Sequence, residues 1–193
     1  MLKTIIKTDR NMTFEALASQ GNQTIYGSMA ATIGPRINEI RNELIKDCFS
    51  DFRKTKHRME TVGNVHGIEF INDSKATNIN STWFSLESMN KPVIWIAGSL
   101  DKGTDFEMLR SIVTKKVRAI VWFGKDSLHL QSSFAALGVS VTHADSLEQA
   151  VNTAYYAGHD GDVVLLSPAC PSFDMFSDYE ERGREFKRFV NTL

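Results

Sequence analysis

The amino-acid sequence predicts an α/β domain: a doubly wound, mostly parallel sheet with helices on both faces, filling most of the chain. Three observations carry this. From residue 59 onward, short apolar runs alternate with longer stretches of helical spacing. Several of the runs are apolar along their whole length, as strands covered on both faces are. Runs such as 92–97 and 163–166 also end abruptly in loops of small and polar residues. Strands alternating with helices of about ten or more residues build βαβ units, and hence a parallel sheet.

Taken in order, residues 2–6 form one β-like run, and the sequence to residue 24 has no clear period. The stretch 26–33 has helical spacing but meets Gly34-Pro35, where proline removes a donor and clashes with the preceding turn. Ile40, Leu44, Ile45, Cys48, Phe49 and Phe52 then recur along one helix face. The basic run from Arg53 to Arg58 closes that helix at its partly negative end. The first quarter has no core of its own and reads as a short helical remnant of another domain, with the boundary at 1–56 against 57–193.

The regular pattern follows. Runs over 59–65 and 68–71, separated by His66-Gly67, predict a hairpin. A loop leads to a helix over 79–89, then a strand over 92–97 and a helix over 106–115. Next come a strand over 119–123, a helix reaching 137, a strand over 139–142 and a helix over 147–156. A strand over 163–166 and a helix over 179–190, with Phe186, Phe189 and Val190 on one face, complete the chain. Trp83, Trp95 and Trp122 fall on core positions.

Composition narrows the function. A net charge of −1 and a pI near 6.5 provide no electrostatic footprint for nucleic acid or an anionic membrane. No apolar run reaches the length of a bilayer span, and the start resembles no signal peptide. The two cysteines, Cys48 and Cys170, read as reduced thiols of a cytoplasmic protein. The five histidines are scattered, so no metal site is expected.

Three loops at strand carboxyl ends carry the chemistry, since open α/β sheets place their ligands there. The first, Asn72-Asp73-Ser74-Lys75-Ala76-Thr77-Asn78, concentrates a carboxylate, an ammonium and hydroxyls before a helix N-terminus, which suits an anionic ligand. It also reads as an Asx-type turn with Thr77 or Asn78 capping the helix and Lys75 in solvent. The second, 98–103, sets Lys102 among glycines. The third, 167–172, offers Ser167, Cys170 and Ser172, with N–H groups from Phe173 on. Cys170 has no base partner and reads as a small packed residue rather than a nucleophile. There is no Gly-x-x-x-x-Gly-Lys-Ser/Thr loop and no Gly-x-Gly-x-x-Gly fingerprint after a strand, so neither a P-loop nor a dinucleotide site is present.

Five blocks in order, His57-Arg58, residues 71–78, Asp101-Lys102-Gly103, residues 165–170, and Phe173-Asp174-x-Phe176 with Tyr179-Glu180-x-Arg182-Gly183, resemble the Mur ligases. The resemblance is greatest to the members that join D-glutamate to UDP-N-acetylmuramoyl-L-alanine in peptidoglycan synthesis. It runs from about residue 49 to the C-terminus. It implies a Rossmann-like C-terminal domain that brings the amino acid, preceded by the end of the family's central ATPase domain. It further implies an ATP- and magnesium-dependent, acyl-phosphate route to the amide bond in the full-length enzyme. Carried over by motif, Arg58 and Asp73 are expected at the nucleotide. Lys75, Thr77, Lys102, Ser172, the Phe173 N–H and Tyr179 are expected around D-glutamate. Because no UDP-sugar domain or Gly-rich ATP loop is present in these residues, the chain is expected to be part of a longer ligase, incomplete as a catalyst and without tight ATP or Mg2+ binding. It departs from the family at Gln23-Thr24, Gly27, Gly34-Pro35 and Pro171. A stand-alone small-ligand or protein-interaction module on the same scaffold is the alternative reading.

Overall fold

The computed structural model of the protein describes residues 55–98, 106–124, 133–134 and 137–193. The expected strand over 2–6, the helices over 26–33 and 38–52, the remnant domain, and Lys102 lie outside the described residues. The expected helix reaching 137 lies mostly outside them too, with Ser133 and Phe134 helical.

Six strands form one sheet: β1 Glu60–Val65, β2 Ile68–Asn72, β3 Val93–Ala97, β4 Val117–Phe123, β5 Ser140–Ala144 and β6 Val163–Leu166. The helices are α1 Ile79–Ser88, α2 Glu107–Lys116, α3 Leu147–Ala157 and α4 Tyr179–Val190. The strand order is β1-β2-β6-β3-β4-β5. β1 is antiparallel to β2, and every other pairing is parallel. The β1–β2 turn is made by His66 and Gly67 with φ of 50° and 84°, both left-handed, as a two-residue turn matched to strand twist requires. The Asn64 side chain secures it by accepting the Gly67 N–H at 3.0 Å.

Pleating divides the core. In β3, Val93, Trp95 and Ala97 join Leu86 of α1 and Leu109, Ile112 and Val113 of α2 on one face. Ile94 and Ile96 join Ala150, Val151 and Ala154 of α3 and Phe186 and Val190 of α4 on the other. β6 splits in the same way, Leu165 to the first layer and Val164 and Leu166 to the second. That two-sided burial is why these strands read as unbroken apolar runs. Trp95 and Trp122 are buried, and Trp83 packs partly buried against the first layer.

Helix starts follow local capping chemistry. The Asn78 side chain accepts the Ser81 N–H (2.9 Å), Ser146 accepts that of Gln149 (3.1 Å), and Asp178 accepts that of Glu181 (2.7 Å). Glu181 reaches back to accept the N–H of Ser177, the residue before the cap (2.6 Å). The Lys116 ammonium closes α1 from another element by donating to the Glu87 and Met89 carbonyls.

Several boundaries shift by one or two residues, β5 running 140–144 rather than 139–142, and two differences alter the packing. β4 begins at Val117, directly after α2, because Val117 already pairs with Val93. The register then jumps to Ile94 opposite Ala119, so Arg118 is an extra, bulged residue, and its guanidinium meets Asp162 at 3.3 Å. Residues 55–58 form turn and bend rather than a helix end, and His57 is buried with φ of 60°.

Candidate functional site

The strand order places β6 between β2 and β3, so the loops after those three strands share one edge of the sheet. This is where the direction of strand addition reverses, the position at which open α/β sheets form a ligand crevice. The backbone ties the edge together. Asp73 N–H donates to the Leu166 carbonyl (2.8 Å), Gly98 N–H to Pro168 (2.9 Å) and Ala169 N–H to Ala76 (3.0 Å). Ala169 has φ of 61°, a left-handed conformation uncommon for a residue with a Cβ. A cleft of about 460 Å³ opens at this edge, lined by Thr77, Asn78, Ile79, Asn80, Met108, Ala169 and Pro171. Three of these residues, Asn78, Ile79 and Asn80, are the cap and opening turn of α1, whose N–H groups and dipole favour negative charge.

Of the residues expected at an amino-acid ligand, Thr77 is half-buried and lines the cleft. Lys75 is half-buried, its ammonium 6.0 Å from the centroid of the Tyr179 ring. Its backbone N–H is committed to the His57 carbonyl (3.0 Å). Ser172 is buried, and its carbonyl turns the chain by accepting the N–H groups of Met175 (3.1 Å) and Phe176 (2.9 Å). Phe173 stands out at 78% exposure in the turn before α4.

Asp73 and Arg58 were expected at a nucleotide. Asp73 is only 3% exposed, and its carboxylate accepts from the Met59 N–H (3.2 Å), the Ser167 hydroxyl (3.3 Å) and the Ser85 hydroxyl. Burial pushes its pKa up to about 6, against the opposing pull of these donors and of the Arg58 charge. A nucleotide contact by this carboxylate requires those bonds to open. Cys170 behaves as a packed residue. It is buried, its Sγ fills the space where Gly98 lacks a side chain, and burial pushes the thiol up to about 11.

Sequence reasoning assigned no role to two buried groups beneath the loops. Arg182 is 1% exposed and donates to Ser74, Cys170 and Pro171. Its signal was legible: Arg182, Phe186 and Val190 follow at i, i+4 and i+8, a cation within the apolar stripe of α4. The second is His57. Its Nδ1 accepts from the Asn72 amide (2.9 Å), which also donates to the Gly183 carbonyl (3.1 Å). Burial, above all, holds His57 below the usual histidine range, with Glu60 pulling the other way. Among the described residues, no group of three or more His, Cys, Asp or Glu is placed to hold a metal ion.

The fold and the loop edge define a Rossmann-like α/β unit that presents an anion-favouring crevice at its strand ends. The chain belongs to the Mur ligase family: residues 57–170 match the family's glutamate ligase domain. Relatives named UDP-N-acetylmuramoylalanine--D-glutamate ligase include one from Salinibacter ruber, 40% identical over all of this chain and 42% of its own length. Another, from Bacteroides fragilis, is 42% identical over 95% of this chain and 41% of its own length. The chain thus spans about two fifths of these relatives. The fold is also shared with the crystal structure of UDP-N-acetylmuramate-alanine ligase from Thermotoga maritima, at a TM-score of 0.59 and 13% identity, over 90% of this chain and 39% of that one.

Proposed function

We propose that residues 57–193 are the D-glutamate-binding domain of a UDP-N-acetylmuramoyl-L-alanine:D-glutamate ligase of the bacterial cytoplasm, and that residues 1–56 belong to the preceding ATPase domain. The observation that carries the reading is the adjacency of the β2, β6 and β3 strand ends, with the loops after β2 and β6 beside one helix N-terminus. A dicarboxylate suits such an edge. Lys75, Lys102 and Ser172 supply two ammonium groups and a hydroxyl, Thr77 and the Phe173 N–H add donors, and Tyr179 walls the pocket. Charge-assisted contacts of this kind contribute roughly 1.5–3 kcal/mol each.

In the proposed reaction ATP transfers a phosphoryl group to the L-alanine carboxylate of the UDP-sugar, releasing ADP, and the D-glutamate amine attacks the acyl phosphate, forming the amide and releasing phosphate and a proton. The part of the described residues is to hold D-glutamate by its carboxylates, leaving the amine free, and to orient it. Arg58, beside the Asp73 loop, would face the nucleotide. The described residues offer no cluster of three or more His, Cys, Asp or Glu fitted to magnesium.

Titration of the chain with D-glutamate, followed by NMR amide shifts, tests this. Binding of about millimolar strength, roughly 4 kcal/mol, is expected for a site without a closing domain. Lys102→Ala should abolish the shifts, whereas Lys125→Ala, on the loop after β4, should leave them. Equal behaviour of the two variants would place the ligand elsewhere.

A further inference from the structure

We propose that Arg182 is a positioning residue whose guanidinium sets the spacing between the Lys75–Thr77 loop after β2 and the Ser172–Phe173 loop after β6. The proposal rests on the assignment of D-glutamate to the mouth between these loops.

Its geometry is that of a bracket. Nε donates to the Ser74 hydroxyl (3.0 Å) and Nη2 to the Ser74 carbonyl (2.9 Å). Nη1 and Nη2 both donate to the Cys170 carbonyl (3.1 and 3.2 Å), and Nη1 also reaches the Pro171 carbonyl (3.2 Å). One side of the fork thus holds the residue before Lys75, and the other holds the two residues before Ser172. The Ser74 hydroxyl passes the connection on to the Tyr179 carbonyl (2.7 Å), so the first residue of α4 is fixed by the same unit. A guanidinium is planar with donors at fixed angles, so it sets distance and orientation between two backbones together; a lysine ammonium does neither.

Stability alone does not account for the arrangement. The oxygen acceptors are carbonyls and a hydroxyl, and the remaining contact is the Cys170 sulfur at 3.8 Å. Among the described residues no carboxylate lies within ion-pair distance of the guanidinium. Burying a cation on neutral acceptors carries a desolvation penalty that an apolar side chain in the Phe186–Val190 stripe would avoid. What the arginine provides in return is a rigid span between two ligand loops, with its positive charge beneath a mouth meant for anions.

The test uses the full chain. Arg182→Lys keeps the charge and removes the fork. Lys187→Ala, on the same helix as Arg182, breaks the ion pair to Glu60 of β1 and serves as the stability control. In the free protein, Arg182→Lys should move the amide resonances of residues 74–77 and 169–173 together, and Lys187→Ala should move neither set. With D-glutamate, Arg182→Lys should bind about tenfold more weakly and Lys187→Ala within twofold of the parent, below the melting range of both. A folded Arg182→Lys with parental affinity, or one that perturbs a single loop, overturns the proposal. Should Arg182→Lys not fold, Ser74→Ala decides, since it removes the Nε acceptor and the Tyr179 link; unchanged affinity there is equally fatal. A parent chain that shows no D-glutamate shifts defeats the ligand assignment instead, and the paired loop response then decides the role of Arg182.

Discussion

At the scale of single residues, Asp73 shows how burial and hydrogen bonding compete. Three donors hold its carboxylate, yet desolvation outweighs them and raises the pKa from 3.8 to about 6. A group whose folded pKa lies above its unfolded value binds its proton more tightly when folded. Its effect therefore opposes folding as pH rises through that window, from about 4 to about 6, and is constant above it. The shift corresponds to about 3 kcal/mol at most. Asp73→Asn keeps the shape and an acceptor for the Met59 N–H while removing the titration. Plotted against pH, the stability of the variant relative to the parent should rise between pH 4 and 6 and level off above. A flat difference across that range in urea denaturation would show that the Asp73 carboxyl titrates normally. In sequence the same carboxylate is expected at a nucleotide; its burial becomes visible only once the Ser85 and Ser167 hydroxyls are placed around it.

At the scale of elements, α4 meets the hairpin side of the sheet through a close approach. A Cβ built on Gly183 would lie 2.3 Å from His57 Nδ1 and 2.4 Å from its Cγ. The ring cannot withdraw easily, since Asn72 holds Nδ1. Glycine within a helix is about 1 kcal/mol less favourable than alanine, so propensity alone favours Gly183→Ala. Overpacking a close-packed site typically costs about 1–3 kcal/mol, and here the clash with a pinned ring should win. Gly183→Ala is expected to lower the melting temperature by several degrees, measured by circular dichroism; a stabilised variant would mean that the His57 ring is free to move. The helices themselves were legible because their apolar spacing announces their faces, with Asn78 one of two cap candidates for α1; the caps Ser146 and Asp178 emerged with the structure. The placement of His57 was not. It sat in a basic run that read as a helix end, and only the packing of α4 against it explains the burial.

For the whole molecule, the proposed function separates holding a ligand from activating one. In that reading Lys75, Lys102 and Ser172 supply donors for carboxylates, whereas the sequence contains no Gly-x-x-x-x-Gly-Lys-Ser/Thr loop to cradle a nucleotide triphosphate. The purified chain is therefore expected to neither hydrolyse ATP nor form the amide bond. Turnover that is lost on Arg58→Ala in a highly purified sample would refute this. Supplying the remaining domains of a related ligase as a separate polypeptide is the complementary measurement, with amide formation dependent on Lys102 as the expected outcome.

The amino-acid sequence by itself determined the class of fold, the alternation of strands and helices, and the loops that carry polar chemistry. Those properties are written in periods of two and 3.6, in caps and in unbroken apolar runs, all of them local. Tertiary structure alone decided the order β1-β2-β6-β3-β4-β5. The last strand in the chain is inserted between β2 and β3 because Val164 and Leu166 complete one core layer while Leu165 completes the other. That insertion turns three strand ends, separated by dozens of residues, into neighbours on one edge. It also decided which polar side chains, like Asp73 and Arg182, are buried beneath the loops. Residue type states what a group is able to bind; only the packing around it determines whether its partner is a ligand or the protein itself.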